Sequence, residues 1–181
     1  MKLLREILYK VEINSVVGNT SLSINKIEFD SRLISDGDMY IAITGVNVDG
    51  HSFISQAIQN GANCIVCEKT PDIKSDGIVY VNVKSSRKAL AIISSNYFDN
   101  PSSKLNLIGV TGTNGKTTIA TLLFDLYTEL EIKSGLISTV KISYDNKNYK
   151  ANQTTPDSLS INRFLSEMVN SNVRYCFMEV S

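Results

Sequence analysis

The 181 residues set 18 Lys and Arg against 18 Asp and Glu, so no net field draws the chain to nucleic acid or an anionic membrane, and an anionic ligand has to be held by a local site. With 43% apolar residues the chain can bury a core as one large domain or two small ones, and no apolar run approaches the roughly 20 residues of a membrane span. MKLLREILYK carries charges at 2, 5, 6 and 10 where a secretory leader is apolar, and three cysteines suit a reducing compartment, so a cytoplasmic protein is expected.

Leu3 to Tyr9 reads as a short helix, followed by a polar turn as far as residue 20. SLSINKIEFDS alternates Leu22, Ile24, Ile27 and Phe29 with polar residues and reads as a strand ending in Asp30-Ser31-Arg32. A serine hydroxyl and an arginine fork beside exposed backbone suit a phosphate or a uracil edge; a solvated turn with an Asp–Arg pair explains the same residues. DGDMYIAI reads as a turn and a strand, and TGVNVDGHSF as a loop with Gly45 and Gly50. Ser52 is expected to cap a helix with apolar positions at Phe53, Ile54, Ala57 and Ile58, ending at Asn60-Gly61.

CIVCE and IVYVNV supply two buried strands on either side of the breaker stretch KTPDIKSDG. Cys64 and Cys67 spell C-x-x-C, but their odd separation in a strand puts the side chains on opposite faces, which favours buried cysteines over a zinc or redox pair. His51 is the single histidine, so zinc ligands are few. A helix from Ser86 to about Phe98 follows, with Ala89, Leu90, Ile93 and Tyr97 on one side. Strands alternating with helices over residues 20–100 predict a small α/β layer domain.

DNPSSKLN, residues 99–106, is the linker candidate, giving expected domains 1–104 and 105–181. Beyond it, in LIGVTGTNGKTT, Leu107, Ile108 and Val110 read as a buried strand, Gly112 to Gly115 as a tight loop and Lys116 onward as a helix. The apolar face of that helix is expected at Ile119, Leu122, Leu123, Leu126 and Leu130. Glycines at 112 and 115 allow positive φ and bring successive N–H groups against phosphate oxygens, and the helix start adds unpaired donors and the positive end of its dipole. Lys116 is placed to reach β- and γ-phosphates, and the Thr117 hydroxyl to ligand Mg²⁺. The candidate ATP-binding set is Gly112, Thr113, Asn114, Gly115, Lys116, Thr117 and Thr118. The standard G-x-x-x-x-G-K-[ST] spacing needs glycine where Val110 stands, so a chance glycine turn between strand and helix is the competing reading.

SGLIST reads as a strand, VKISYDNKNYK as a hairpin turning at Asp145-Asn146, and NQTTPDS as a loop in which Thr155 and Pro156 open a helix. Ile161, Phe164, Leu165 and Met168 give that helix its buried face, and YCFMEVS reads as a last strand. Glu179 falls at its carboxyl end, where α/β sheets place ligands; a divalent ion or a surface lysine would account for a carboxylate there. The whole is predicted to be α/β, a small N-terminal α/β layer domain, for which the resemblance below implies substrate binding, followed by a P-loop nucleotide-binding domain cut short.

GVTGTNGKTT resembles the ATP loop of the Mur ligases and their folylpolyglutamate synthetase relatives, which join an amino acid to a carboxylate at the expense of ATP. In order, FDSR at 29–32, GVNVDGHSF, GTNGKTT, NQTTPDSLSINRFLSEMV and MEVS reproduce, over essentially the whole chain, landmarks of the family member that extends UDP-N-acetylmuramoyl-dipeptide. The resemblance implies that residues 1–104 hold the uridine end of that substrate, with contacts at Phe29, Ser31, Val46, Asn47 and Val48. It implies that Gly112 to Thr118 hold ATP with Lys116 catalytic, that Gln153, Thr154, Thr155 and Ser181 contact the muramoyl-dipeptide, and that Glu179 joins Thr117 on Mg²⁺. Gln153 departs from a common asparagine and Val46 from a polar residue, and one of Thr154 and Thr155 is also a candidate helix cap.

The implied reaction runs through an acyl phosphate formed on the D-glutamyl carboxylate and opened by the amine of the incoming amino acid, diaminopimelate being the commoner choice and lysine the rival. Partners are expected to be small molecules alone, without nucleic acid or membrane, and the protein a monomer. Because the motif is interrupted at Ser181, the chain is expected to be the N-terminal part of a longer ligase, inactive without the histidine, carbamylated lysine and C-terminal domain that follow in the family. Another Mur-type ligase, a P-loop phosphotransferase for a small molecule, which would leave the DSR and TTPDS segments without a role, and a non-enzymatic nucleotide-dependent binding module that uses the P-loop as a switch are the alternatives.

Overall fold

The computed structural model describes residues 1–45, 48–150 and 156–180. The chain divides into two compact units, Met1–Tyr97 and Phe98–Ser181.

The first unit runs through β1 (Lys2–Leu3), α1 (Leu4–Ile7), β2 (Ile13–Val17), β3 (Ser23–Ile24), β4 (Ile27–Glu28), β5 (Asp38–Ile41), α2 (Ile54–Gln59), β6 (Ala62–Cys67), β7 (Val79–Val83) and α3 (Ser86–Tyr97). Its main sheet has the order β2-β7-β6-β5-β4, while β1 and β3 form a separate two-stranded ribbon. β4 to β7 pair in parallel and β2 lies antiparallel on β7. β5 is buried at every position, as a parallel strand covered on both faces requires. Tyr40, Ala42, Ile65, Cys67 and Tyr80 pack with Ile54 and Ala57 of α2, whereas the alternate positions Met39, Ile41, Cys64 and Val66 are buried outside that cluster. Cys64 and Cys67 are thus free, buried and on opposite faces.

Two local expectations give way here. β2 replaces the expected polar turn; all five of its residues are exposed, so it carries no alternation that a sequence pattern could detect. The start of α2 is set by Asp49 and not Ser52, because a one-turn 3-10 helix, Gly50–Phe53, precedes α2 and Asp49 caps it by accepting from the His51 N–H.

The second unit contains β8 (Asn106–Val110), α4 (Lys116–Glu129), β9 (Ser134–Ile137), β10 (Lys141–Tyr144), β11 (Lys147–Lys150), α5 (Ser158–Asn170) and β12 (Tyr175–Glu179). The sheet order is β11-β10-β9-β12-β8, with β9, β12 and β8 parallel and the β10–β11 hairpin turning at Asp145 and Asn146, both with positive φ. Pro101–Ser103 forms a single 3-10 turn packed on α5, which draws residues 98–104 into this unit and puts the boundary ahead of the expected 104. α5 starts at Asp157, whose side chain accepts from the Ser160 N–H, and it buries Phe164, Leu165 and Met168 as expected.

β8 is an edge strand, so Leu107 is exposed and only Val110 of the expected trio is buried. α4 is turned relative to expectation. Of the expected face Ile119, Leu122, Leu126 and Leu130 are 49%, 62%, 50% and 60% exposed and only Leu123 packs inward, alongside Ala120, Phe124 and Tyr127. Both sets have helical spacing on a helix apolar nearly all round; the second wins because its rings reach β12, Tyr127 lying 4.9 Å from Tyr175 and 5.0 Å from Phe177, edge to face. Among the described residues no helix is long and apolar enough to cross a membrane.

Candidate nucleotide sites

In the second unit, β8 delivers the chain into a loop whose glycines adopt φ of +149° at Gly112 and +79° at Gly115. Gly115 is the left-handed N-cap of α4, a conformation in which a Cβ is strained. Space is not the constraint, since a Cβ there would meet nothing nearer than Ile119 Cδ1 at 4.0 Å. Gly112, Thr113, Asn114 and Thr118 are exposed, and Lys116 Nζ donates to the Gly112 carbonyl at 2.8 Å, folding its charge back over the loop. Lys116 and Thr117 occupy the first turn of α4, where backbone N–H groups have no intrahelical acceptor.

The parallel register sets Glu179 opposite Val110, so the carboxylate emerges beside the loop. Its Oε2 accepts from the Thr117 hydroxyl at 2.9 Å and from the Thr139 N–H and hydroxyl at 3.1 and 3.0 Å. Burial pushes the Glu179 carboxyl up, but these hydrogen bonds and the Lys116 charge outweigh it and hold the group below its ordinary value. The surface-lysine reading of Glu179 therefore gives way to a carboxylate fixed among hydroxyls. A carboxylate and a hydroxyl within bonding distance are an all-oxygen set that fits Mg²⁺. Thr139 was missed by sequence reasoning, which saw it only as the end of a strand; the β9–β10 turn is what carries it to Glu179.

In the first unit a cavity of about 490 Å³ opens between the turn at Ser31, the strand end at Tyr40 and the segment leading into α2. Phe29, Ser31 and Val48 line it, together with Arg32, Tyr40, Phe53 and Gln56, which had not been singled out as contacts except for the Arg32 fork. Ser31 is buried, its hydroxyl donating to Gln56 Oε1 at 3.2 Å and its carbonyl accepting from Asn60 Nδ2 at 2.8 Å. The Arg32 side chain holds the Asp30 carboxyl below the usual aspartate range, and Asp30 clamps the guanidinium through contacts at 2.9 and 2.7 Å. Tyr40 donates to the Gly50 carbonyl at 2.9 Å; burial, with smaller contributions from Asp30 and Asp49, pushes its phenol up to about 12 and keeps it a donor. Val46, Asn47, Gln153, Thr154, Thr155 and Ser181 lie outside the described residues.

A strand, a glycine loop and a Lys-Thr-Thr helix start, with a carboxylate on the neighbouring strand, form the arrangement of P-loop nucleotide-binding domains. Residues 23–98 match the Mur ligase family catalytic domain and residues 110–181 the Mur ligase middle domain, and the chain belongs to the Mur ligase family. It is 49% identical, over 98% of its length, to the UDP-N-acetylmuramoyl-L-alanyl-D-glutamate–2,6-diaminopimelate ligase of Cytophaga hutchinsonii, of which it spans 37%. A solved structure of a ligase of that same name is similar with a TM-score of 0.77 at 21% identity, covering 100% of this chain and 36% of the other. A MurF ligase from Thermotoga maritima, solved in complex with ADP, is similar with a TM-score of 0.55 at 24% identity over 85% of this chain and 31% of its own.

Proposed function

We propose that this chain forms the uridine-nucleotide-binding and ATP-binding parts of a cytoplasmic ligase that adds an amino acid, diaminopimelate ahead of lysine, to UDP-N-acetylmuramoyl-L-alanyl-D-glutamate in peptidoglycan precursor synthesis. The observation that carries this reading is the Thr117–Glu179 pair at 2.9 Å beside the glycine loop, in a chain 49% identical to a ligase with that name.

In this reading the N–H groups of Gly112 to Thr118 cradle the phosphates of ATP, and Lys116 leaves the Gly112 carbonyl to face the β- and γ-oxygens. Thr117 and Glu179 would hold Mg²⁺, which would supply positive charge against the transferring phosphoryl group. Thr139 keeps the Glu179 carboxylate aimed at the loop. The D-glutamyl carboxylate takes the γ-phosphoryl group, ADP leaves, and the incoming amine displaces phosphate to form the amide; the protein's contribution is alignment and electrostatics. The cavity at Ser31 holds the uridine end, with Phe29, Val48 and Phe53 as apolar walls and Tyr40, Gln56 and Arg32 as polar contacts.

Titration calorimetry of MgATP into the wild-type chain and into Lys116→Ala tests the loop. Binding by the wild type and its loss in the variant is expected; equal affinity of the two would remove the ATP assignment.

A further inference from the structure

The cavity in the first unit is walled on one side by Val48, Gly50 and Phe53, and among the residues between them that do not line it are Asp49 and His51. Asp49 Oδ1 accepts from the Thr44 hydroxyl at 3.2 Å and from the His51 N–H at 3.0 Å, and it meets His51 Nδ1 at 2.6 Å. On the other side of the ring the Glu68 N–H, just beyond β6, donates to Nε2 at 3.0 Å. A backbone donor on Nε2 puts the proton on Nδ1, so the donor and the acceptor of the ring are both engaged. The His51 side chain is only 12% exposed. Glu68 is itself anchored: its Oε1 accepts from the Ser86 N–H at the start of α3 at 2.8 Å, and its carbonyl accepts from Asn82 Nδ2 at 3.0 Å.

We propose that His51 is the positioning residue of this cavity, a strut that ties the Val48–Phe53 wall to the end of β6 and so sets the width available to a uridine nucleotide. The inference rests on the reading of the cavity as the uridine site. No contact between His51 and the ligand is needed, because the ring acts through Asp49 on one side and the sheet on the other. It also gives a role to the one histidine of the chain.

Calorimetry on the full 181-residue chain with UDP-N-acetylmuramoyl-L-alanyl-D-glutamate compares the wild type with His51→Asn, His51→Gln and His51→Ala. Asparagine keeps a donor near the Nδ1 position, glutamine an acceptor near Nε2, and alanine neither. A strut needs both ends, so asparagine and glutamine should each weaken binding about tenfold, the loss expected from one to two hydrogen bonds, and alanine at least as much. MgATP affinity, which belongs to the second unit, should stay within about twofold. Absence of binding by the wild type overturns the uridine reading itself. Wild-type binding that the variants retain within about twofold overturns the strut alone. Should alanine fail to fold, the asparagine and glutamine forms carry the test: full recovery by glutamine means that the ring only fills space, and the strut is overturned.

Discussion

The first unit shapes its cavity mainly with side chains, the second its loop mainly with backbone. Around Ser31 the cavity lining is assembled from a serine, a tyrosine, a glutamine and two phenylalanines brought together from three stretches of chain, with hydrogen bonds from Ser31 to Gln56 and from Tyr40 to the Gly50 carbonyl. Around Gly112 the loop is shaped by the backbone conformation of its glycines, and side chains meet at Lys116, Thr117 and Glu179. The difference teaches where tolerance lies: a backbone site fails when its conformation is changed, a side-chain site when any one of several supports is removed. The cores differ too. In the first unit β5 is buried throughout, while the second leaves β8 as an edge and a row of apolar residues on α4 in the open.

The largest effect should come from the second core. Phe177→Ala removes a 2%-exposed ring that packs on Tyr127 and should cost about 3 to 5 kcal/mol, read by urea unfolding. A cost below about 1 kcal/mol would mean that α4 does not dock through that face. Next is Gly115→Val, which forces a β-branched residue to φ of +79° and should cost on the order of 1 to 3 kcal/mol while weakening MgATP binding, with no change in affinity for the uridine nucleotide. Its counterpart is Ser31→Ala, which strips a buried donor from Gln56 and should cost about 1 kcal/mol and weaken the uridine ligand alone. Cross-effects between the two ligands would break the division of labour.

Acid sharpens the comparison further. Glu179 is held below its ordinary 4.5, so its contribution to stability is complete above that value and is lost as pH falls through the lower folded-state value. Glu179→Gln should therefore flatten the acid limb of the second unit's stability. Asp30 and Asp49, both lowered from 3.8 by neighbouring Arg32 and His51, should leave the acid limb of the first unit unchanged in that variant. Unfolding followed by amide exchange between pH 3 and 7 separates the units; an equal loss in both would defeat the assignment. The smallest effect is expected at Leu122→Ser, within about 0.5 kcal/mol, because Leu122 is 62% exposed. A larger cost would restore the buried face first expected of α4.

What could be read from the sequence follows the same division. The glycine loop was legible because its turn takes positive φ at Gly112 and Gly115, and the hairpin because Asp145-Asn146 accept positive φ. Ser31 was singled out with the Arg32 fork at a strand end and Phe29 through resemblance, while Tyr40, Phe53 and Gln56 read as ordinary strand and helix positions until the fold gathered them. Thr139 was invisible for a related reason, its partner Glu179 lying 40 residues further on. The helix caps at Asp49 and Asp157 were displaced from Ser52 and Thr155 because a serine or threonine competes with any nearby aspartate, and only geometry chooses.

β12 lies between β9 and β8, and β8 has no other strand partner among the described residues. Thr117 leaves the ribosome 62 residues before Glu179, an interval of about 3 to 12 seconds at ordinary synthesis rates. Throughout it the glycine loop hangs on a strand without a sheet, and α4 has neither Phe177 nor Tyr175 to pack on. Until β12 arrives Thr117 lacks its Glu179 partner, and the nascent segment from Leu107 to Leu130 keeps Leu123, Phe124 and Tyr127 without the strand they pack on.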